Sequence, residues 1–183
     1  MKILIIIILL LLSVLITIYT YYGGFIKLQC NVESQGGETV VYKNITGDYR
    51  QTGVVMDEIY YSLLNKYKIE TYKGYGKYLD NPKKVEKTKL RSEAGNIIEA
   101  KDPSKLSNLP EEFLIKEIPV KKYITTEFPY KGKLSVIFSI MKVYPALNKF
   151  TNLNGYSEDG AVIEIYDIPN KKILYRKEIL EKI

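Results

Sequence analysis

In the second half of the chain, short β-branched and aromatic runs surround one run of apolar residues at helical spacing. The short runs are Ile124–Tyr130, Val162–Tyr166 and Ile173–Tyr175, and the helical run is Leu134–Leu147. Apolar positions three and four residues apart indicate a helix, whereas short β-branched and aromatic runs indicate strands. This half therefore predicts a strand, a helix and a hairpin, with a kink where Pro145 removes a helical hydrogen bond.

The same order occurs in the first half. Thr39–Ile45 predicts a strand, Val54–Tyr67 an amphipathic helix, and Tyr75–Leu79 with Leu90–Ile98 a hairpin. Two copies of one unit predict an α+β fold, in which tandem strand–helix–strand–strand repeats form one domain with a pseudo-twofold axis and an antiparallel sheet.

The predicted domain extends over residues 38–183. It consists of repeat one at 38–100, a polar connection at 101–112 and repeat two at 113–183. Three residues carry turn chemistry in repeat one. Gly47 tolerates a positive φ, and Asp80 and Pro82 frame a corner after the third predicted strand.

The N-terminal 24 residues are almost wholly apolar, with an Ile, Leu and Val run over residues 3–18 followed by tyrosines. A helix of about 20 such residues spans a bilayer core, and tyrosines suit its interface. We expect a transmembrane anchor at 1–24 and a linker at 25–37; the alternative is a cleaved signal peptide. Lys2 and Lys27 flank the run on its two sides, so the positive-inside rule favours an amino terminus on the cytoplasmic side only slightly. The side of the membrane on which the domain lies is therefore not predicted.

Composition limits the chemistry. The chain has no histidine and a single cysteine, which excludes Ser-His-Asp and Cys-His catalysis and any internal disulfide. We expect no metal and no cofactor, because zinc is poorly served by carboxylates alone. The net charge of +6 comes mainly from lysines, without a basic helix or a nucleic-acid motif, so we expect no nucleic-acid partner.

Glu164 is the main candidate for a site. Side chains alternate along a strand, so Glu164 shares a face with Tyr166, while Ile163 and Ile165 point the other way. If the isoleucines pack on the helices, Glu164 projects into an opposite, concave face. There a carboxylate flanked by aromatic rings has a raised pKa and binds a cation or donates a proton. The alternative is a Glu164 that pairs with Arg91 or a lysine or faces water.

Tyr42, Tyr78 and Tyr166 are the expected aromatic wall of a ligand pocket beside Glu164. Ordinary packing in the core or on the sheet is the alternative for each of them.

Several short patterns, taken in order, resemble the GyrI-like domain family. They are Val41-Tyr42 before Gly47-x-Tyr49, the corner Tyr78-Leu79-Asp80-Asn81-Pro82, Leu90-Arg91-x-x-x-Gly95 and Val162-Ile163-Glu164-Ile165-Tyr166. The resemblance covers Glu38 to the C terminus and implies two repeats with a ligand pocket between them, as in effector domains of AraC-type and MerR-type drug-responsive regulators. Those regulators place an acid on the final strand, where this chain has Leu174.

The layout, an apolar anchor before such a domain, is also similar to the membrane-anchored testis-expressed ER-phagy receptor of animals. That protein's acidic tail has no counterpart in this sequence.

Three functions follow. The first is a membrane-anchored, non-catalytic domain that binds a small apolar or amphipathic ligand between its repeats. The second is a membrane-tethered interaction or receptor module, which predicts an exposed apolar patch. The third is a hydrolase of reactive small molecules, in which Glu164 works with Tyr166 or Tyr78 as general acid and base.

Overall fold

The computed structural model describes residues 1–99, 106 and 109–182. Its helices are α1 (Lys2–Tyr21), α2 (Gln51–Asn65) and α3 (Lys133–Leu153), and a single 3₁₀ turn covers Lys87–Lys89. Its strands are β1 (Asn31–Gln35), β2 (Thr39–Thr46), β3 (Lys73–Tyr78), β4 (Arg91–Ile98), β5 (Leu114–Glu117), β6 (Lys121–Pro129), β7 (Val162–Asp167) and β8 (Lys172–Glu178).

The eight strands form one antiparallel sheet in the order β1-β6-β8-β7-β3-β4-β2-β5. Repeat one supplies β3-β4-β2 and repeat two supplies β7-β8-β6, so the order is mirrored about the β3–β7 pair. In that central pair Gly76 lies opposite Glu164 and Tyr78 lies opposite Val162. The predicted α+β class, the antiparallel sheet and the tandem repeats are confirmed.

Two strands were not predicted, and each extends one edge of the sheet. β1 pairs with β6, and β5 pairs with β2. The prediction of a linker over 25–37 is therefore wrong for Asn31–Gln35, because its backbone groups pair with β6. Most of the predicted connection at 101–112 lies outside the described residues.

The sheet must curl strongly, because the connection between β1 and β2 is too short for a flat sheet. β1 and β2 stand six positions apart in the strand order, which is about 29 Å in a flat sheet. Only residues 36–38 join them, and four extended steps reach at most about 14 Å. Gly37 N–H donates to the Ile118 carbonyl at 2.7 Å, and Arg176 binds Glu38 and Gln35, so the bend is held across its open side.

The curl creates two faces with separate cores. The inner, concave face encloses one apolar cluster that no helix covers: Val40, Tyr75, Ile97, Ile118, Tyr123, Ile163 and Ile165. The outer face carries α2 over Val41 and Ile98 and α3 over Ile124 and Ile173, each within its own repeat. Each helix therefore buries its own repeat and leaves the seam between repeats less covered.

α3 is one helix through Pro145, and its buried side recurs every four residues: Ser135, Ser139, Val143, Leu147 and Thr151. α1 is 20 residues long and almost wholly apolar, and none of its residues is buried. That length and composition fit a membrane span or a signal sequence.

Gly95 on β4 fixes the approach of β2. A Cβ built at Gly95 collides with the Val41 carbonyl oxygen and Tyr42 Cα, both of which are backbone atoms that cannot rotate away. Gly53 is exposed in the first turn of α2 and has no atom within 4 Å of a built Cβ.

We therefore expect Gly95→Ala to lower the free energy of unfolding by about 1–3 kcal/mol, since the strands must separate. Gly53→Ala is the matched control and should raise it by about 0.5–1 kcal/mol, because alanine is the better helix former. Chemical denaturation of the detergent-solubilised chain, followed by circular dichroism, measures both. Equal effects of the two substitutions would contradict the role of Gly95.

Candidate functional site

A cleft of about 1290 Å³ opens on the outer face of the sheet, between α2 and α3 and above the β3–β7 seam. It lies where the two repeats meet. This volume exceeds the 300–1,000 Å³ usual for ligand pockets, as expected of an open cleft. Its apolar and aromatic lining includes Tyr49, Met56, Tyr60, Tyr78, Tyr130, Val136, Ile137, Ile140, Met141, Tyr144, Leu147, Tyr166 and Ile168.

Two glycines on β3 keep the floor of the cleft low. A Cβ at Gly76 would come within 3.0 Å of Met56 Cε and 3.3 Å of the Tyr78 hydroxyl oxygen. At Gly74 it would meet Met56 Sδ and Tyr166 Cβ at 3.4 and 3.5 Å. The absence of side chains there lets Met56 from α2 settle against the sheet. The Asn96 side chain fixes this region of α2 by donating to the Met56 carbonyl at 2.9 Å.

Glu164 lies at the seam, with only 1% of its surface exposed. Each carboxylate oxygen accepts one tyrosine hydrogen bond. The Tyr144 hydroxyl on α3 donates to Oε1 at 2.8 Å, and the Tyr166 hydroxyl on β7 donates to Oε2 at 2.5 Å. The carboxylate is therefore held by two neutral donors, one from the helix and one from its own strand.

Burial sets the electrostatics of this group. Desolvation raises the pKa of Glu164, against a smaller opposing effect of the hydrogen bonds from Tyr166 and Tyr144. Burial first, and the negative charge of Glu164 second, raise the pKa values of both tyrosines well above 10, so they remain hydrogen-bond donors. The uncharged donors only partly replace the water that the carboxylate has lost.

No cation neutralises Glu164 in the part of the chain that the structure describes: no lysine or arginine nitrogen lies within 4.0 Å of its carboxylate. Arg91 pairs with Asp80 instead. Lys177 is a cationic member of the cleft lining, and its ammonium donates to the carbonyls of Glu158 and Gly160 at 2.7 and 3.0 Å. The site thus presents one uncompensated buried carboxyl group among aromatic rings.

One end of the cleft is built from the predicted turn residues. The ring of Tyr49 meets the ring of Tyr78 edge-on at 4.9 Å, and the Tyr49 hydroxyl donates to the Asp80 carbonyl at 2.8 Å. Asp80 accepts from the Arg91 guanidinium at 2.7 Å, and this hydrogen bond lowers the pKa of Asp80. Gly47 has a φ of 125° and donates to the Leu90 carbonyl at 2.8 Å.

Pro82 follows Asn81, whose side chain accepts from the Lys83 backbone, so this stretch is also a turn. Asp80 and Pro82 both line the cleft as well.

The structure brings together three of the four residues predicted to bind a ligand, Glu164, Tyr166 and Tyr78. Tyr42 is placed elsewhere. It packs against the inner-face cluster, with the Lys116 ammonium 4.4 Å from its ring centroid. The Val41-Tyr42 pair alternates, so Val41 faces α2 and Tyr42 faces the concave side.

The predicted face of Glu164 was wrong. Ile163 and Ile165 do not pack on the helices; they fill the concave inner face, and Glu164 lies on the helix-covered side. The predicted alternation along β7 is present, but the curl of the sheet decides which of its two faces meets the helices. Both faces of the strand are buried, so burial alone gave no indication of which side held the helices.

Two further contributors were not predicted. Tyr144 supplies a hydroxyl to Glu164, and Met56 covers the glycine floor. Helical spacing offered a signal for Tyr144, because it follows Ile140 by four residues and so extends the same side of α3. Nothing local marked Met56, whose role depends on glycines in another element.

No family model matches the chain, and no curated protein sequence matches it. Solved structures do share its fold. The C-terminal domain of EcmrR superimposes with a TM-score of 0.60 at 11% identity, over 86% of this chain and all (100%) of that domain.

EcmrR in its complex with DNA gives a TM-score of 0.62 at 12% identity over 91% of this chain, which spans only 64% of the EcmrR chain. SAV2435 bound to tetraphenylphosphonium gives 0.55 at 7% identity, over 84% of this chain and 94% of SAV2435. These likenesses establish the fold, which agrees with the predicted GyrI-like architecture.

We expect Glu164→Gln to stabilise the protein at neutral pH, by on the order of 1 kcal/mol. The folded-state pKa of Glu164 lies above its unfolded value, so ionising this group costs the folded state free energy. That cost is absent below the unfolded pKa and grows as pH rises towards the folded pKa. Thermal unfolding of both proteins from acidic to neutral pH should show a gap that widens with pH.

The matched control is Glu127→Gln, because Glu127 is exposed and its ion pair with Lys172 lies at the surface. Its gap from the parent protein should stay small at every pH. A Glu164→Gln gap that is flat with pH would contradict a raised pKa at this position.

Proposed function

We propose that the chain is a membrane-anchored, non-catalytic domain that binds a small amphipathic molecule in the cleft between its repeats. The ligand is apolar over most of its surface and carries one positive charge. The observation that supports this most directly is Glu164, a buried carboxyl group with two tyrosine donors and no cationic partner among the described residues.

The charge argument supports a cation over a neutral ligand. An ionised carboxylate without a counter-ion in an apolar cleft is unfavourable, and a bound cation relieves that cost. Tyr78, Tyr144 and Tyr166 line the same cleft, and aromatic rings attract cations. SAV2435, which shares the fold, is bound to tetraphenylphosphonium, and an aromatic cation of that class suits this cleft.

The anchor in this proposal is α1. Its 20 residues rise about 30 Å, which matches the hydrocarbon core of a bilayer. The absence of a nucleic-acid partner also remains part of the proposal; the DNA in the EcmrR complex is a property of that protein.

We expect tetraphenylphosphonium to bind the detergent-solubilised chain and Glu164→Gln to weaken this binding at least about tenfold, because the substitution removes the counter-charge and keeps the side-chain shape. The cation is charged at every pH, so loss of affinity on acidification reports protonation of Glu164. Isothermal titration calorimetry measures both effects.

Two controls separate charge from shape. Triphenylphosphine oxide is a neutral aromatic ligand and should bind the parent protein and Glu164→Gln alike. Tyr42→Phe should leave the affinity for the cation unchanged, because Tyr42 lies on the inner face. The proposal fails if Glu164→Gln keeps full affinity for the cation, or if Tyr42→Phe loses it.

A hydrolase is the second candidate, since a carboxyl group with a raised pKa beside two tyrosines can act as a general acid. We expect no such activity, because both carboxylate oxygens are already engaged by tyrosine donors. Incubation with an epoxide such as styrene oxide, followed by chromatography of the diol, should give the same slow background for the parent protein and Glu164→Gln. Faster conversion by the parent protein alone would establish catalysis.

A further inference from the structure

The end of α1 is fixed to the folded domain. The Lys142 ammonium on α3 donates to the carbonyls of Gly24 and Ile26, the latter at 2.8 Å, and the Lys131 ammonium donates to the Tyr21 carbonyl at 2.8 Å. These lysines bind carbonyl groups around the C-terminal end of a helix, where the helix dipole also favours positive charge.

Aromatic contacts hold the same junction. The ring of Phe138 on α3 stacks on Tyr22 with centroids 6.0 Å apart and meets Tyr19 edge-on at 5.7 Å. Gly24 makes room for this contact, because a Cβ at this position would force the Tyr19 ring to move. The membrane end of α1 and the helix that forms one wall of the cleft are therefore packed directly against each other.

The outer side of α3 is apolar from this junction to the cleft. With about 100° between successive helical residues, Phe138 and Lys142 lie on the α1 side, Leu134, Met141 and Ile137 come next around the helix, and Ile140 and Tyr144 reach the cleft. Leu134, Ile137, Ile140 and Met141 are all exposed, from 45% for Leu134 to 68% for Met141. We call Leu134, Ile137, Ile140 and Met141 the α3 outer patch.

The residues around the patch suit a lipid surface. Phe25 and Ile26, four and five residues after the end of α1, are also exposed, and Tyr19 contacts Phe25 as well as Phe138. Three exposed lysines lie nearby in the chain: Lys27 follows Ile26, Lys131 precedes α3, and Lys133 is the first residue of α3. An apolar helix face with flanking lysines is the composition of helices that lie in a membrane interface.

From this continuity we infer that the α3 outer patch lies in the lipid headgroup region beside α1, so that the cleft opens at the bilayer surface and takes its ligand from the membrane. This inference rests on the proposed membrane anchoring of α1. It identifies the ligand source as the bilayer, and an amphipathic molecule concentrates there. Contact with the membrane would also explain why α3 exposes large apolar side chains next to a ligand cleft.

The chain contains no tryptophan, so one introduced tryptophan reports its own surroundings. Ile137→Trp and Met141→Trp place the probe on the patch in the full chain, reconstituted into phosphatidylcholine vesicles brominated near the headgroup end of the acyl chains. Both sites are more than half exposed, so either variant can carry the test. We expect the brominated lipid to quench roughly half of the fluorescence of each, relative to unbrominated vesicles.

Two further variants serve as references. Val120→Trp lies next to Lys121, at the end of β6 opposite to Pro129, and is about 30 Å from the α1 junction along the strand direction. It should not be quenched. Leu10→Trp lies in the middle of α1, about 15 Å from either end, so it is measured with lipid brominated near the chain termini, which should quench it if α1 is in the bilayer.

The outcomes separate the two proposals. Quenching of Leu10→Trp without quenching of either patch variant beyond Val120→Trp overturns the inference and leaves the anchor standing. An unquenched Leu10→Trp overturns both. Patch fluorescence that resists the brominated lipid and changes with the protein-to-lipid ratio assigns the patch to a second copy of the chain or another protein, and also overturns the inference. Tetraphenylphosphonium titration of Val120→Trp in detergent reports the ligand site independently, because Val120 lies outside the cleft lining.

Discussion

The antiparallel pairing of β3 with β7 is the constraint on which the molecule depends. It joins two repeats that each bury their own helix, and it sets Gly76 opposite Glu164. Because α2 and α3 cover their own repeats, the pair at the centre is left as the floor of a cleft. Glycines on one side of the seam and a carboxylate on the other make that floor both low and acidic.

The burial of Glu164 is unfavourable for the folded state, and the surroundings only partly offset it. Tyr144 and Tyr166 satisfy its oxygens, but neither supplies a positive charge. Buried carboxyl groups with raised pKa values are common at functional sites. A ligand with a positive charge can offset the free-energy cost of burying such a carboxylate. α3 contacts the C-terminal end of α1 and also lines the cleft, so the candidate site and the apolar N-terminal helix share α3 as a structural element.

The repeat pattern could be predicted from the sequence because it depends on local features of the chain. β-branched runs, helical spacing and turn residues such as Gly47 and Asp80 predicted both strand–helix–hairpin units and the antiparallel sheet. The edge strands β1 and β5 escaped prediction, since Asn31–Gln35 is polar and exposed over most of its length and gains its strand structure from pairing with β6. Edge pairing is a property of the partner as much as of the segment.

By itself, the sequence determined the α+β class, the apolar N-terminal helix and the absence of histidine chemistry, and it singled out Glu164, Tyr166 and Tyr78, which the structure places in one cleft. Only the tertiary structure decided which face of β7 meets the helices, because three residues between β1 and β2 force the sheet to curl and enclose Ile163 and Ile165. The same curl moved Tyr42 away from the cleft, and packing across the seam brought Tyr144 to the carboxylate. Alternation along a strand specifies two sides, and only long-range contacts specify what covers each of them.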